Sequence, residues 1–354
     1  MIEGSDTAVG MNQFDAHLDR GWDLLSKGDL KGARAAARRA LSANKSSPEA
    51  HHLLGFVAQQ EGDADEALEH YREAISLDDG YIDAYLDAAE VLIHPLGEFD
   101  EAIAMVDEVL EFAESDDVIV DALLLKFDAL EAKGAHDEAV KLLDALPRGP
   151  YANPQQTFLV GRALFEAGRA SDALPLLDQA VGADRDNADA HYFLGLTHDA
   201  LGDRRRATMA FLESRELDLR APRAPWALER DTFRQTVEKA VSRLRPERLE
   251  AIKDTLVLVS DVPGMEIVAD GVDPRAGVVL EGLAELGSPA PIAARVFVYQ
   301  RNIERSVGGV EQLEDALVEQ LDEEISIAKG EPIEGEASPR PSSPPAQKPP
   351  TRVR

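Results

Sequence analysis

Ala50-His51-His52-Leu53-Leu54-Gly55-Phe56, then Glu61-Gly62-Asp63, then Glu66-Ala67-Leu68 running on to Tyr71 and Ala74, carry the reading of the fold. Apolar and small residues return at three- and four-residue intervals on both sides of Gly62, the period of an amphipathic helix. Gly62 sits between the two runs, where a residue in the left-handed region ends a helix at least cost. The stretch therefore reads as two helices joined by a tight turn. Gly55 and Ala67 are expected to face each other where the helices cross, because a large side chain at either would push the pair apart.

The unit recurs along the chain. Small residues appear as Ala33, Ala67, Ala102, Ala139, Ala173 and Ala207, at spacings of 34, 35, 37, 34 and 34 residues. A second register runs Gly21, Gly55, Ala89, Phe127, Gly161, Gly195, and a third runs Gly28, Gly62, Gly97, Gly134, Gly168, Gly202. Self-similarity at this period marks stacked helix pairs. Units three and four are looser: Pro95 before Gly97 predicts a stretched turn, and Pro147 and Pro150 mark a break before unit five.

Over residues 14–219 this pattern resembles the tetratricopeptide repeat. The resemblance implies a mainly α protein built on an α-solenoid of about six helix-turn-helix repeats, whose concave groove, lined by the first helix (helix A) of each unit, binds peptides or partner helices. The second position of each unit, read as Asp15, Glu49, Asp83, Asp121, Gln155 and Asp189, gives a ladder of carboxylates. The fifth positions are Leu18, His52, Leu86, Leu124, Phe158 and Tyr192. An acidic and apolar groove calls for a protein or peptide partner with basic and apolar residues. Acidic residues at a helix N-terminus also answer the macrodipole, so the ladder has a purely helical reading as well. The Lys and Asn cluster with which some members of the family grip a terminal carboxylate is absent, so chaperone-tail binding is not expected.

Composition narrows the partners. The formal net charge is −30, of which residues 1–228 carry −23 and residues 229–330 carry −8. Phosphate-backbone affinity comes from Lys and Arg displacing counterions, so nucleic acid is not an expected partner. The chain has no cysteine, which removes disulfides, thiol catalysis and thiolate metal sites. Residues 1–13 read as a flexible N-terminus without a leader pattern, and no run of eighteen apolar residues occurs. These features lead to the expectation of a cytoplasmic protein that does not enter a membrane.

After Leu219 the repeat stops. Arg220-Ala221-Pro222-Arg223-Ala224-Pro225 opens an expected linker over 220–228, since proline turns its preceding residue away from helix. Residues 229–330 then read as a compact α+β domain. A helix is predicted from Glu229 to Leu244, strands at 255–259, 277–280 and 295–299, and a final helix from Val310 to Ala328 with Leu313, Ala316, Leu317, Leu321 and Ile325 on one face. Residues 331–354 form a tail with seven prolines, expected to be disordered because it cannot bury enough apolar surface.

The order of landmarks in 229–330 resembles the bacterial minimal zincin-like metallopeptidases. They are Leu244-Arg245-Pro246-Glu247-Arg248-Leu249, Val257 to Pro263, Asp273-Pro274, Val279-Leu280-Glu281-Gly282-Leu283, and Val296 to Arg301 with Ile303-Glu304-Arg305. In that family the last helix carries H-E-x-x-H, two zinc-binding His flanking a general base. Here Glu319 and Glu323 stand at the ligand positions and Gln320 at the base position. A carboxamide cannot take up a proton at neutral pH, so the resemblance implies a catalytically inactive relative with no zinc and no cofactor. Independently of register, all eight histidines, His17, His51, His52, His70, His94, His136, His191 and His198, precede residue 199. Taken together the sequence reads as a non-catalytic scaffold or adaptor with a pseudo-peptidase domain. The alternative is a divalent-metal-dependent hydrolase with an all-carboxylate site around Glu319 and Glu323, hard oxygen ligands that suit magnesium or calcium. A third reading, competition with related active peptidases, rests on the resemblance alone.

Overall fold

The computed structural model of the chain describes residues 4–283 and 292–331. The chain divides into two compact units, Met1–Ala173 and Leu174–Arg354, and each is described by itself.

The first unit is a run of antiparallel helix pairs: α1 (Gly4–Ser26) with α2 (Leu30–Ala43), α3 (Pro48–Glu61) with α4 (Ala64–Leu77), α5 (Ile82–Val91) with α6 (Phe99–Phe112), and α7 (Asp116–Ala132) with the short α8 (His136–Leu142). It ends with α9 (Pro154–Glu166) and the start of α10 (Ala170–Ala183). The helix ends follow the sequence signals. Ser47 caps α3 by accepting from the Ala50 amide at 3.1 Å, and Asp63 caps α4 by accepting from the Glu66 amide at 3.0 Å. Each satisfies a backbone donor that has no partner within its helix. Between them Gly62 has φ of +82°, and the Asp63 amide returns to the Ala58 carbonyl at 2.9 Å, closing the turn. The other glycines of that register are left-handed as well.

Of the expected N-terminal segment 1–13, residues from Gly4 on are part of α1. Asp6 lies in its first turn, and no proline interrupts the sequence before Gly28, so helix can propagate to the N-terminal side. One expectation needs correction, at Gly55. Gly55 does not owe its size to Ala67: a Cβ there would lie 2.6 Å from the ring of Tyr71, which fills the crossing of α3 and α4. The stretched turn expected before Gly97 and the break expected at Pro147 are both present. A wide turn at Leu92–Leu96 absorbs the extra residue before Gly97, and α8 is cut to seven residues ahead of Pro147.

Small side chains make the crossings close. Ala33, Ala37, Leu53, Leu54 and Val57 form one core cluster, and a larger one runs from Ala58 through Tyr71, Tyr85, Ala89 and Val106 to Ala129. Each fully buried Leu or Val contributes about 1.5–3 kcal/mol relative to exposure.

The second unit opens with the remainder of α10 and the pair α11 (Ala188–Ala200) and α12 (Arg204–Arg220). There Gly195 repeats the device of Gly55, its missing Cβ leaving room for the ring of Phe211. Beyond α12 lie α13 (Arg230–Arg243), α14 (Pro246–Ala251), β1 (Leu256–Ser260), α15 (Met265–Ala269), β2 (Val278–Glu281), β3 (Arg295–Tyr299), α16 (Gln300–Arg305) and α17 (Leu313–Lys329). The sheet order is β1-β3-β2. β1 runs parallel to β3 with Leu256 opposite Arg295, and β2 runs antiparallel to it with Val278 opposite Val298. Val296 and Val298 of the central strand point into a core closed by Phe233, Val237 and Ala240 of α13 and Leu313, Leu317, Leu321 and Ile325 of α17. The three strands and both flanking helices agree with the periodicities read from sequence.

The stretch expected as a linker is tied down. Arg223 donates to the buried Glu304 carboxylate at 2.9 Å, the Leu228 amide donates to the same group at 3.0 Å, and Gln300 donates to the Leu228 carbonyl at 2.7 Å. Residues 332–354 of the expected proline-rich tail lie outside the described residues. Among the described residues no helix is long and apolar enough to cross a membrane.

Candidate functional site

In the first unit the expected groove positions fall into two groups. Asp15, Glu49 and Asp83 are exposed on helix A of repeats one to three. Glu49 accepts only from the Ser47 hydroxyl at 2.6 Å, and Asp15 and Asp83 have no ion pair among the described residues. Beside them Leu18 and Leu86 are half-buried. Trp22 and Phe56, four residues after the fifth positions of repeats one and two, meet edge to face with ring centroids 5.8 Å apart and are also half-buried. These two aromatics were missed among the site residues. Their sequence signal was the ninth position of the unit, one helical turn beyond the fifth.

The remaining positions serve the stack. Leu124 and Phe158 are buried, and Asp121 accepts from the Gln156 carboxamide at 2.8 Å. Burial pushes the Asp121 carboxyl up, with Asp117 adding to this and the Gln156 bond opposing it. His52 is buried as well, its Nε2 2.7 Å from Asp87 and its Nδ1 3.0 Å from the Tyr81 hydroxyl. Burial, with Asp83 and Glu49 nearby, pushes the Tyr81 phenol up to about 12. Arg162 likewise grips Asp128 at 2.9 and 3.0 Å. These bonds join residues 34 or 35 apart, so they are fasteners between successive A helices.

In the second unit Asp189 and Tyr192 of α11 are engaged by the chain itself. Arg275, from the loop between α15 and β2, reaches Asp189 at 2.6 Å and Asp218 of α12 at 3.0 and 3.3 Å. Its guanidinium carbon lies 4.4 Å from the centroid of the Tyr192 ring, and the Tyr192 hydroxyl donates to Asp273 at 2.8 Å. Asp218 is buried and also accepts from Arg305 at 2.7 Å, while Arg301 donates to the Ala221 carbonyl at 2.9 Å. Burial alone would depress the Arg275 guanidinium, but the Asp218 and Asp189 charges outweigh it and hold it charged. Arg275 was not singled out by sequence, and Arg301 and Arg305 were read only as landmarks of the resemblance, since they lie 57 to 87 residues from Asp218.

On α17, Glu319 is exposed and Glu323 and Gln320 are half-buried. Gln320 donates to the Ser306 hydroxyl at 3.3 Å, and its Oε1 occupies the space where a Cβ on Gly277 would stand. Gln320 thus faces the start of β2 with an amide that holds no titratable proton. Asp322 belongs to the framework: Arg245 and the buried Arg248 both donate to it at 2.9 Å. Among the described residues no group of three or more His, Asp or Glu could hold a metal ion. Within that range Glu319 and Glu323 belong to no such group.

The sequence signature of the tetratricopeptide repeat matches residues 58–119 and 164–214, and a second signature of the same repeat matches residues 18–82. These segments are tetratricopeptide repeats. Among solved structures the chain is similar to pilF of Pseudomonas aeruginosa, with 19% identity over 60% of this chain and 95% of that one and a TM-score of 0.51. It is also similar to PilW, a widely conserved type IV pilus biogenesis factor, with 18% identity over 59% of this chain and 94% of that one and a TM-score of 0.50. At these identities the likeness is one of fold. No curated protein matches the chain. The last tetratricopeptide match ends at residue 214, inside α12, so Asp218 lies just past the repeat and is used by the α+β part of the second unit.

Proposed function

We propose that the chain is a non-catalytic adaptor whose tetratricopeptide helices A bind a protein segment carrying basic and apolar residues. The observation that carries this reading is the set of exposed carboxylates Asp15, Glu49 and Asp83 beside the half-buried Leu18, Leu86, Trp22 and Phe56. Unpaired carboxylates next to apolar surface reward a ligand that brings both a cation and a side chain to bury. Tetratricopeptide repeats serve protein–protein interaction in general, which agrees with it.

Residues 229–330 are read as a pseudo-peptidase domain. Support comes from the element order ending in α17, from Gln320 at the base position, and from Glu319 and Glu323 where imidazoles would stand. The domain contributes a second surface and no chemistry. The proposed site of action is the cytoplasm.

Selection of random twelve-residue peptides displayed on phage against the full chain tests the adaptor reading. Enriched peptides are expected to combine Arg or Lys with Leu, Phe or Trp, and enrichment of acidic peptides would contradict it. Casein hydrolysis with and without added zinc, magnesium or calcium tests the second part. No cleavage above the buffer rate is expected, and metal-dependent cleavage abolished by Glu319→Ala would contradict it.

A further inference from the structure

We propose that the sixth repeat is a pocket for an arginine side chain, kept filled by the chain's own Arg275 and open to exchange with an arginine of a partner peptide. This rests on the reading of the second and fifth positions of helix A as ligand positions, and it names the group they take.

The pocket is shaped for a guanidinium. Nε and one terminal nitrogen of Arg275 face the two oxygens of Asp218, a terminal nitrogen reaches Asp189, and the plane lies over Tyr192. A planar fork can pair with a carboxylate through two fixed parallel donors while its plane stacks on an aromatic face, whereas an ammonium is a point charge without that plane or fixed fork. Asp189 and Tyr192 are the second and fifth positions of the unit, the same positions that Asp83 and Leu86 occupy in repeat three.

The occupant is built to leave without unfolding its loop. The main chain of Asp273-Pro274-Arg275 is fixed from the other side, where the buried Asn302 donates to the carbonyls of Pro274 at 2.9 Å and Ala276 at 2.7 Å. From this loop the side chains of Asp273 and Arg275 reach the repeat. If Arg275 swings out, Asp218 stays paired with Arg305, so no buried carboxylate is left bare. A partner arginine entering the pocket would take over the Asp189 and Tyr192 contacts.

The test uses the full chain and a fluorescein-labelled peptide with the chain's own sequence from Gly271 to Gly277, read by fluorescence anisotropy. Arg275→Ala is expected to bind this probe at least about tenfold more tightly than the native chain. Adding Tyr192→Ala should remove the gain, and replacing the probe's arginine with lysine should weaken it. A folded Arg275→Ala chain that binds no better than the native one overturns the proposal, as does a gain that survives Tyr192→Ala. Should Arg275→Ala fail to fold by circular dichroism, Arg275→Lys becomes the readout, because it keeps the charge and the stem but loses the fork. A gain over the native chain supports the proposal and no gain overturns it. Asp83→Asn should leave these results unchanged, so failure of the first-unit reading and failure of this one are separate outcomes.

Discussion

A methyl group on Gly55 would meet the Tyr71 ring at 2.6 Å, and Tyr71 is itself fully buried with its hydroxyl donating to Gln59 at 2.7 Å. The ring has nowhere to retreat. Gly55→Ala should therefore destabilise the first unit by about 1–3 kcal/mol, the cost of overpacking, seen as a lower urea midpoint at unchanged slope. Asp322 acts through charge. Burial raises its carboxyl, but hydrogen bonds from Arg248 and Arg245 outweigh this and hold it below the usual carboxylate range. A carboxyl depressed in the folded state stabilises above its unfolded value and loses that contribution as pH falls through its folded value. Asp322→Asn should lower the melting temperature at pH 7 and narrow toward the native chain below pH 4. A difference of constant size down to pH 2 would argue against this role.

At the scale of elements, capping decides how well each helix pair holds. Ser47→Ala removes the acceptor of the Ala50 amide and should cost about 1 kcal/mol, measured by chemical denaturation. These elements were legible in the sequence because their signals are local. The left-handed glycines, the Asp and Ser caps, the alternating Leu and Val of 256–259 and the Val alternating with aromatics over 296–299 each act within a few residues. The corrections concern what is not local. Whether Gly55 faces Ala67 or Tyr71 depends on which turn of α4 lies under the glycine, and periodicity supplies both at the same face. His52 reads as a groove residue from its position, yet Asp87 and Tyr81 claim it from the next repeat. Arg275 sits in a loop without periodicity, so nothing in its neighbourhood pointed to Asp189, Tyr192 and Asp218.

For the whole molecule, the α+β part and the sixth repeat belong to one compact unit, joined through Asp218, Arg215 and Arg275. Removing residues 229–354 should therefore loosen α11 and α12, whose amides would exchange with solvent faster than in the full chain. Equal protection in both forms would mean that the repeat stands without those contacts. The charge of −30 acts at this scale too: association with any cationic molecule should be faster at low salt and slow as salt rises. The adaptor reading depends most on the carboxylates of repeats one to three. The measurement that tests it most directly is the affinity of a selected basic and apolar peptide for the native chain and for the chain carrying Asp15→Asn, Glu49→Gln and Asp83→Asn together. Binding is expected to weaken by about tenfold or more in the triple variant and to lose most of its salt dependence. Equal affinity for a folded triple variant would contradict the account.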